Sequence, residues 1–182
     1  LISTDSEQSK LVHSHHQPMP DELRAAILAF RESGPDELHR LATLDSKLAD
    51  EYAEAVQALL QSADFNAAAV TAIGYHGQTL RHYPQGDAPY TLQIGDPNRL
   101  AERTGITVVA DFRRRDVAAS GQGAPLVPAF HQARLVSPGV ASGIANIGGI
   151  ANITLVSAEG DVSGWDTGPG NTLMDSWIAH HR

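Results

Sequence analysis

Ser142-Gly143-Ile144-Ala145-Asn146-Ile147-Gly148-Gly149-Ile150-Ala151-Asn152-Ile153-Thr154-Leu155-Val156 reads as two strand-forming runs around a glycine pair. Ser142–Ile147 and Ile150–Val156 predict strands, and Gly148-Gly149 predicts the turn of a hairpin. Two adjacent glycines let the backbone approach a ligand closely. Successive N–H groups in such a turn can form a nest for an anion such as phosphate. An ordinary tight hairpin is the plainer alternative, and the symmetric Asn146 and Asn152 weigh against it.

Downstream, 162–165 predicts another strand and 171–180 a helix. Between them lies Asp166-Thr167-Gly168-Pro169-Gly170-Asn171. This places a carboxylate at a strand end before a rigid glycine-proline turn. Such a carboxylate can accept a proton from water or a hydroxyl, or it can cap its own loop. Upstream, strands are expected at 70–74, Tyr90–Ile94 and 106–110. Helices are expected at Pro97–Thr104, capped by Asp96 and ended by Gly105, and at 125–135. Alternating strands and helices predict an α/β fold. Pro20-Asp21-Glu22 opens an earlier helical block that Gly34-Pro35 interrupts. Its stripe of Leu38, Leu41, Leu48, Tyr52, Val56 and Leu59 reads as scaffold without chemistry. Residues 1–17 are polar. Their His13, His15 and His16 read as solvated side chains rather than metal ligands.

Polar residues recur where predicted strands end: Gly74-Tyr75-His76-Gly77-Gln78-Thr79, Gln93-Ile94-Gly95-Asp96-Pro97-Asn98 and Ala110-Asp111-Phe112-Arg113-Arg114-Arg115-Asp116, besides the Asp166 segment. Ligands of open α/β sheets bind beyond strand ends, so one shared cleft is expected. Each group also has a plainer role. His76 could bond a nearby carbonyl, Asp96 could only cap a helix, and Asp111 could pair with Arg113 or Arg115 on the surface. Four residues apart on a helical turn, Asp111 and Arg115 share a face. An arginine there could grip a carboxylate or phosphate through two parallel bonds.

The formal net charge of −8 argues against a nucleic-acid partner, which needs a basic face. Cysteine is absent, which excludes disulfides and thiolate metal sites and fits a reducing cytoplasm. No apolar run reaches membrane-spanning length, and no leader is visible. The chain opens without Met and stops inside a predicted helix, so both ends are expected to be cut.

His76-Gly77-Gln78-Thr79, Leu92-Gln93-Ile94-Gly95-Asp96-Pro97-Asn98, 111–116, Gly121-Gln122-Gly123-Ala124-Pro125-Leu126-Val127-Pro128, 146–152 and 166–171 together resemble the anhydro-N-acetylmuramic acid kinase family in order and spacing. The resemblance covers the chain from about Met19 onward. It implies the actin-like ATPase (ribonuclease H-like) sugar-kinase fold, here truncated at both ends. Residues 1–138 would be most of the N-terminal domain, and 139–182 the start of the C-terminal domain. It implies ATP with Mg2+, and hydrolytic opening and O6 phosphorylation of 1,6-anhydro-N-acetylmuramic acid in peptidoglycan recycling. The partners would be the amino sugar and ATP, in the cytoplasm, with a homodimer left open. Asp166 corresponds to the base that activates water. His76, Gln78, Asp111 and Arg115 correspond to sugar-site residues, and Gly148, Gly149 and Asn152 to the second phosphate turn. No residue is singled out for the metal. The family's first, glycine-rich phosphate loop has no counterpart before Met19, so these residues alone are expected to be inactive. The alternatives are a sugar hydrolase using Asp166 with Asp111 or Asp116, and a non-catalytic sugar-binding domain on the same fold.

Overall fold

A computed structural model describes residues 1–5 and 8–181. Strands β1 (Ile2–Thr4) and β2 (Ser9–Leu11) pair with each other. Helix α1 (Asp21–Leu28) starts after Pro20 with Asp21 and Glu22 in its first turn, where acids oppose the helix dipole favourably. After the Gly34-Pro35 break comes α2 (Glu37–Ser62). At 3.6 residues per turn its buried Leu44 and Leu48 lie on one side of the helix, and its buried Ala49, Ala53 and Leu60 on another. Next come β3 (Ile73–Gly74), β4 (Gln78–Tyr83), β5 (Tyr90–Ile94), α3 (Pro97–Thr104), β6 (Val108–Val109) and α4 (Phe112–Ala118). The chain closes with α5 (Pro128–Leu135), β7 (Ser142–Ile147), β8 (Ile150–Val156), β9 (Val162–Pro169) and α6 (Thr172–His181). The class is mixed α/β.

The chain divides into two compact units, 1–4 with 10–121 and 5–9 with 122–182. In the first, α2 serves two apolar clusters. Leu44 and Leu48 pack with Leu23, Phe30 and Ile94, and Ala53 packs with Tyr75 and Leu100. β3 runs parallel to β6, and β4 pairs antiparallel with β5. In the second unit, β7, β8 and β9 form an antiparallel sheet in that order. Helix α5 seats on it, and His131 meets Thr154 there, both buried.

Several expected elements change length. The strand expected at 70–74 shrinks to Ile73–Gly74, because Asn66 caps a turn of 3-10 helix at Ala67–Ala69 by accepting from Ala68 N at 2.8 Å. The strand expected at 106–110 is assigned only at Val108–Val109. Its ladder still extends through Ile73 N to Thr107 O and Tyr75 N to Val109 O. The helix expected at 125–135 begins at Pro128, whose missing N–H costs nothing in a first turn. β4 is not among the expected strands. Its irregular register between Thr79 and Arg81 breaks the alternation that marks a strand. Among the described residues, no helix is long and apolar enough to cross a membrane.

Candidate functional site

In the first unit, β3 delivers buried Tyr75 and then exposed His76. The ring of His76 lies 2.7 Å from the Gly77 carbonyl through Nδ1, the plainer of its two roles. Gln78 donates to Thr79 O at 3.1 Å. The hub is Thr79: its hydroxyl accepts from Arg113 at 2.7 Å and from Gln93 Nε2 at 3.1 Å. Three of the recognised segments thus converge on one oxygen. The start of α4 lies beside them, with the His76 and Phe112 rings 6.2 Å apart.

The three arginines diverge. Arg113 turns to Thr79, and Arg114 pairs with Asp111 at 3.3 Å. The plainer alternative for Asp111, a surface ion pair, is made with Arg114 and not with Arg113 or Arg115. Asp111 occupies the N-cap position of α4, and its partner is three residues along. Arg115 is exposed, and its side chain makes no bond or ion pair among the described residues.

Two residues from the block read as scaffold support this corner. Asp45 of α2 accepts from Gly95 N through Oδ1 at 2.7 Å. Tyr52 packs edge-on against Tyr75, with ring centroids 5.1 Å apart. Burial pushes the Tyr75 hydroxyl well above its ordinary range, with Tyr52, Asp45 and Asp96 adding to the shift. Asp96 caps α3, accepting from Asn98 N at 2.9 Å.

In the second unit, Asn146 pairs with Asn152, and Asn152 with Asp166, across β7, β8 and β9. Directly opposed residues share a face, so these three form one row. The expectation that Asp166 ends its strand is corrected. β9 continues to Pro169, with Thr167 as the extra residue of a bulge. Bulges re-aim side chains and keep a strand going past an irregularity that sequence alternation cannot show. The Asp166 side chain is exposed and makes no hydrogen bond or ion pair among the described residues, so it does not cap its own loop.

The carbonyls of Gly148 and Gly149 are engaged: Asn171 N reaches the first and Gly170 N the second, each at 2.8 Å. Their N–H groups donate to nothing among the described residues, which suits a turn that could receive an anion. Asn152 Oδ1 is buried without a partner among the described residues. None of their groups of His, Asp or Glu is arranged to hold a metal.

Sequence reasoning missed Asp45, Gln93, Arg113 and His131. Gln93 and Arg113 lay inside quoted motifs, but Asp45 and His131 carried no local signal.

Asp166, whose side chain has no partner among the described residues, and the Gly148-Gly149 turn lie on the same three-stranded sheet. The chain belongs to the anhydro-N-acetylmuramic acid kinase family, whose model matches residues 1–182. Among curated proteins so named, that of Thiobacillus denitrificans is 54% identical over 175 residues, covering 96% of this chain and 46% of its own length. That of Shewanella pealeana is 50% identical over 181 residues, covering 99% and 49%. That of Bordetella petrii is 58% identical over 164 residues, covering 90% and 43%. The chain spans about half the length of the curated relatives it matches.

Proposed function

We propose that this chain carries the sugar-handling residues and one phosphate turn of a kinase with the actin-like sugar-kinase fold. The reaction opens 1,6-anhydro-N-acetylmuramic acid with water and phosphorylates O6, giving N-acetylmuramic acid 6-phosphate. Family membership supports this reading, and the observation that carries it is the unengaged Asp166 in one row with Asn152. Asp166 takes the proton of the water that attacks the anomeric carbon. As the anomeric C–O6 bond breaks, O6 gains a phosphoryl group. ATP supplies that group, and a divalent cation supplies charge neutralisation when bound. Gly148, Gly149 and Asn152 receive phosphate oxygens. His76, Gln78, Asp111 and Arg115 hold the sugar, Arg115 by its lactyl carboxylate.

Residues 1–138 are most of the kinase's N-terminal domain and 139–182 the start of its C-terminal domain, and the reaction belongs to the cytoplasm, where ATP is available. A hydrolase reading leaves the glycine turn without a use. The test is incubation of the full-length protein with the anhydro-sugar and ATP. The expected outcome is one ADP for each N-acetylmuramic acid 6-phosphate. Ring opening without ADP release would favour the hydrolase instead.

A further inference from the structure

We propose that Thr172 is a positioning residue that aims the Gly148-Gly149 turn, acting through the Gly149 carbonyl; its effect on nucleotide rests on the kinase reading above. Three bonds join the start of α6 to this turn. Asn171 N donates to Gly148 O and Gly170 N to Gly149 O, each at 2.8 Å. Thr172 Oγ1 donates to Gly149 O at 2.7 Å. The two segments are also as close as atoms allow. A Cβ on Gly149 would stand 2.9 Å from Thr172 Oγ1, and one on Gly170 would collide with the Gly148 carbonyl.

The peptide group is planar, so a carbonyl and the N–H of the following residue turn together. Holding Gly148 O therefore aims the N–H of Gly149, and holding Gly149 O aims that of Ile150. Glycine has no side chain to restrain its peptide planes, so unbraced planes here could rotate freely. Two of the three bonds come from backbone. The third is made by a side chain and can be removed alone.

In the full-length protein, Thr172→Val keeps the shape and deletes the donor. A hydrogen bond's net worth of about 1 kcal/mol predicts an ATP KM raised about fivefold. The sugar KM should stay near wild type, Tm should fall by no more than about 2–4 °C, and Thr172→Ser should restore the ATP KM. A second arm uses Gly149→Ala. Its new methyl crowds Thr172 Oγ1, so adding Thr172→Ala should recover part of the loss, a non-additive result. An unchanged ATP KM in Thr172→Val, no recovery by Thr172→Ser, or strict additivity would overturn the proposal. If the wild-type protein transfers no phosphate from ATP, the kinase reading falls, and the brace is then decided by nitrogen-relaxation order parameters. A lower value for the Ile150 amide in Thr172→Val sustains the brace, and an unchanged value sinks it. If the valine variant does not fold, the same relaxation measurement on Thr172→Ala, which also deletes the donor, decides the matter.

Discussion

A carboxylate that bonds to nothing around it is free to move a proton, and Asp166 meets that condition among the described residues. Asp166→Asn keeps the shape and removes the basicity. A positioned base contributes about a hundredfold to ten-thousandfold in rate. The variant should lose that much in kcat with little change in sugar KM, because the role is confined to the transition state. Steady-state kinetics on both constants checks this, and near-normal kcat would refute the base assignment. Arg115 is likewise unengaged, so Arg115→Lys should keep the charge, lose the two-pronged grip and raise mainly the sugar KM. The Tyr75 hydroxyl is buried and unpartnered among the described residues. Removing it leaves no broken bond behind, so Tyr75→Phe should be neutral or up to about 1 kcal/mol stabilising in urea denaturation.

At the scale of elements, one corner shows how helices hold a loop in place. Gly95 joins β5 to α3 at φ +103, where a side chain is strained, and a Cβ there would collide with the Tyr75 hydroxyl. Asp45 of α2 fastens that residue from the other side. Gly95→Ala should therefore destabilise, and Tyr75→Phe should relieve only the collision and leave the backbone strain. Denaturation of the two single variants and the double variant measures the split.

Helices α2 and α3 are further joined by Asp50, which meets Arg99 at 2.7 Å and Arg103 at 2.9 Å. The Arg99 hydrogen bond is the main cause that holds the Asp50 carboxyl below its ordinary value of 3.8. A carboxylate with a lowered folded-state pKa contributes stability above its unfolded pKa. That contribution disappears as pH falls through the lowered value. The stability difference between wild type and Asp50→Asn should accordingly begin to close below about pH 4 and vanish only below the lowered folded-state value. It should also shrink in about 1 M salt, since the pair is open to solvent.

At the scale of the whole molecule, the proposed function divides between two compact units. Hydrogen exchange on the full-length protein should show the anhydro-sugar slowing the amides of 76–79 and 111–115. Nucleotide should slow those of 147–152. Protection of neither set by its ligand would remove the proposed division of labour. What the sequence determined by itself was local. Asp96 and Gly105 bound α3 as capping chemistry requires, and the glycine pair turns β7 into β8 at the expected residues. Both depend on the conformational preferences of a few adjacent residues. Family membership was legible in six short motifs for the same reason. The tertiary structure alone decided which polar groups meet. Thr79 gathers Gln93 and Arg113 from 14 and 34 residues away, and Asp45 reaches Gly95 across 50. The bulge that carries β9 past Asp166 depends on the register with β8. Such partnerships are set by how helices and strands pack around the apolar clusters, and no spacing along the chain encodes them.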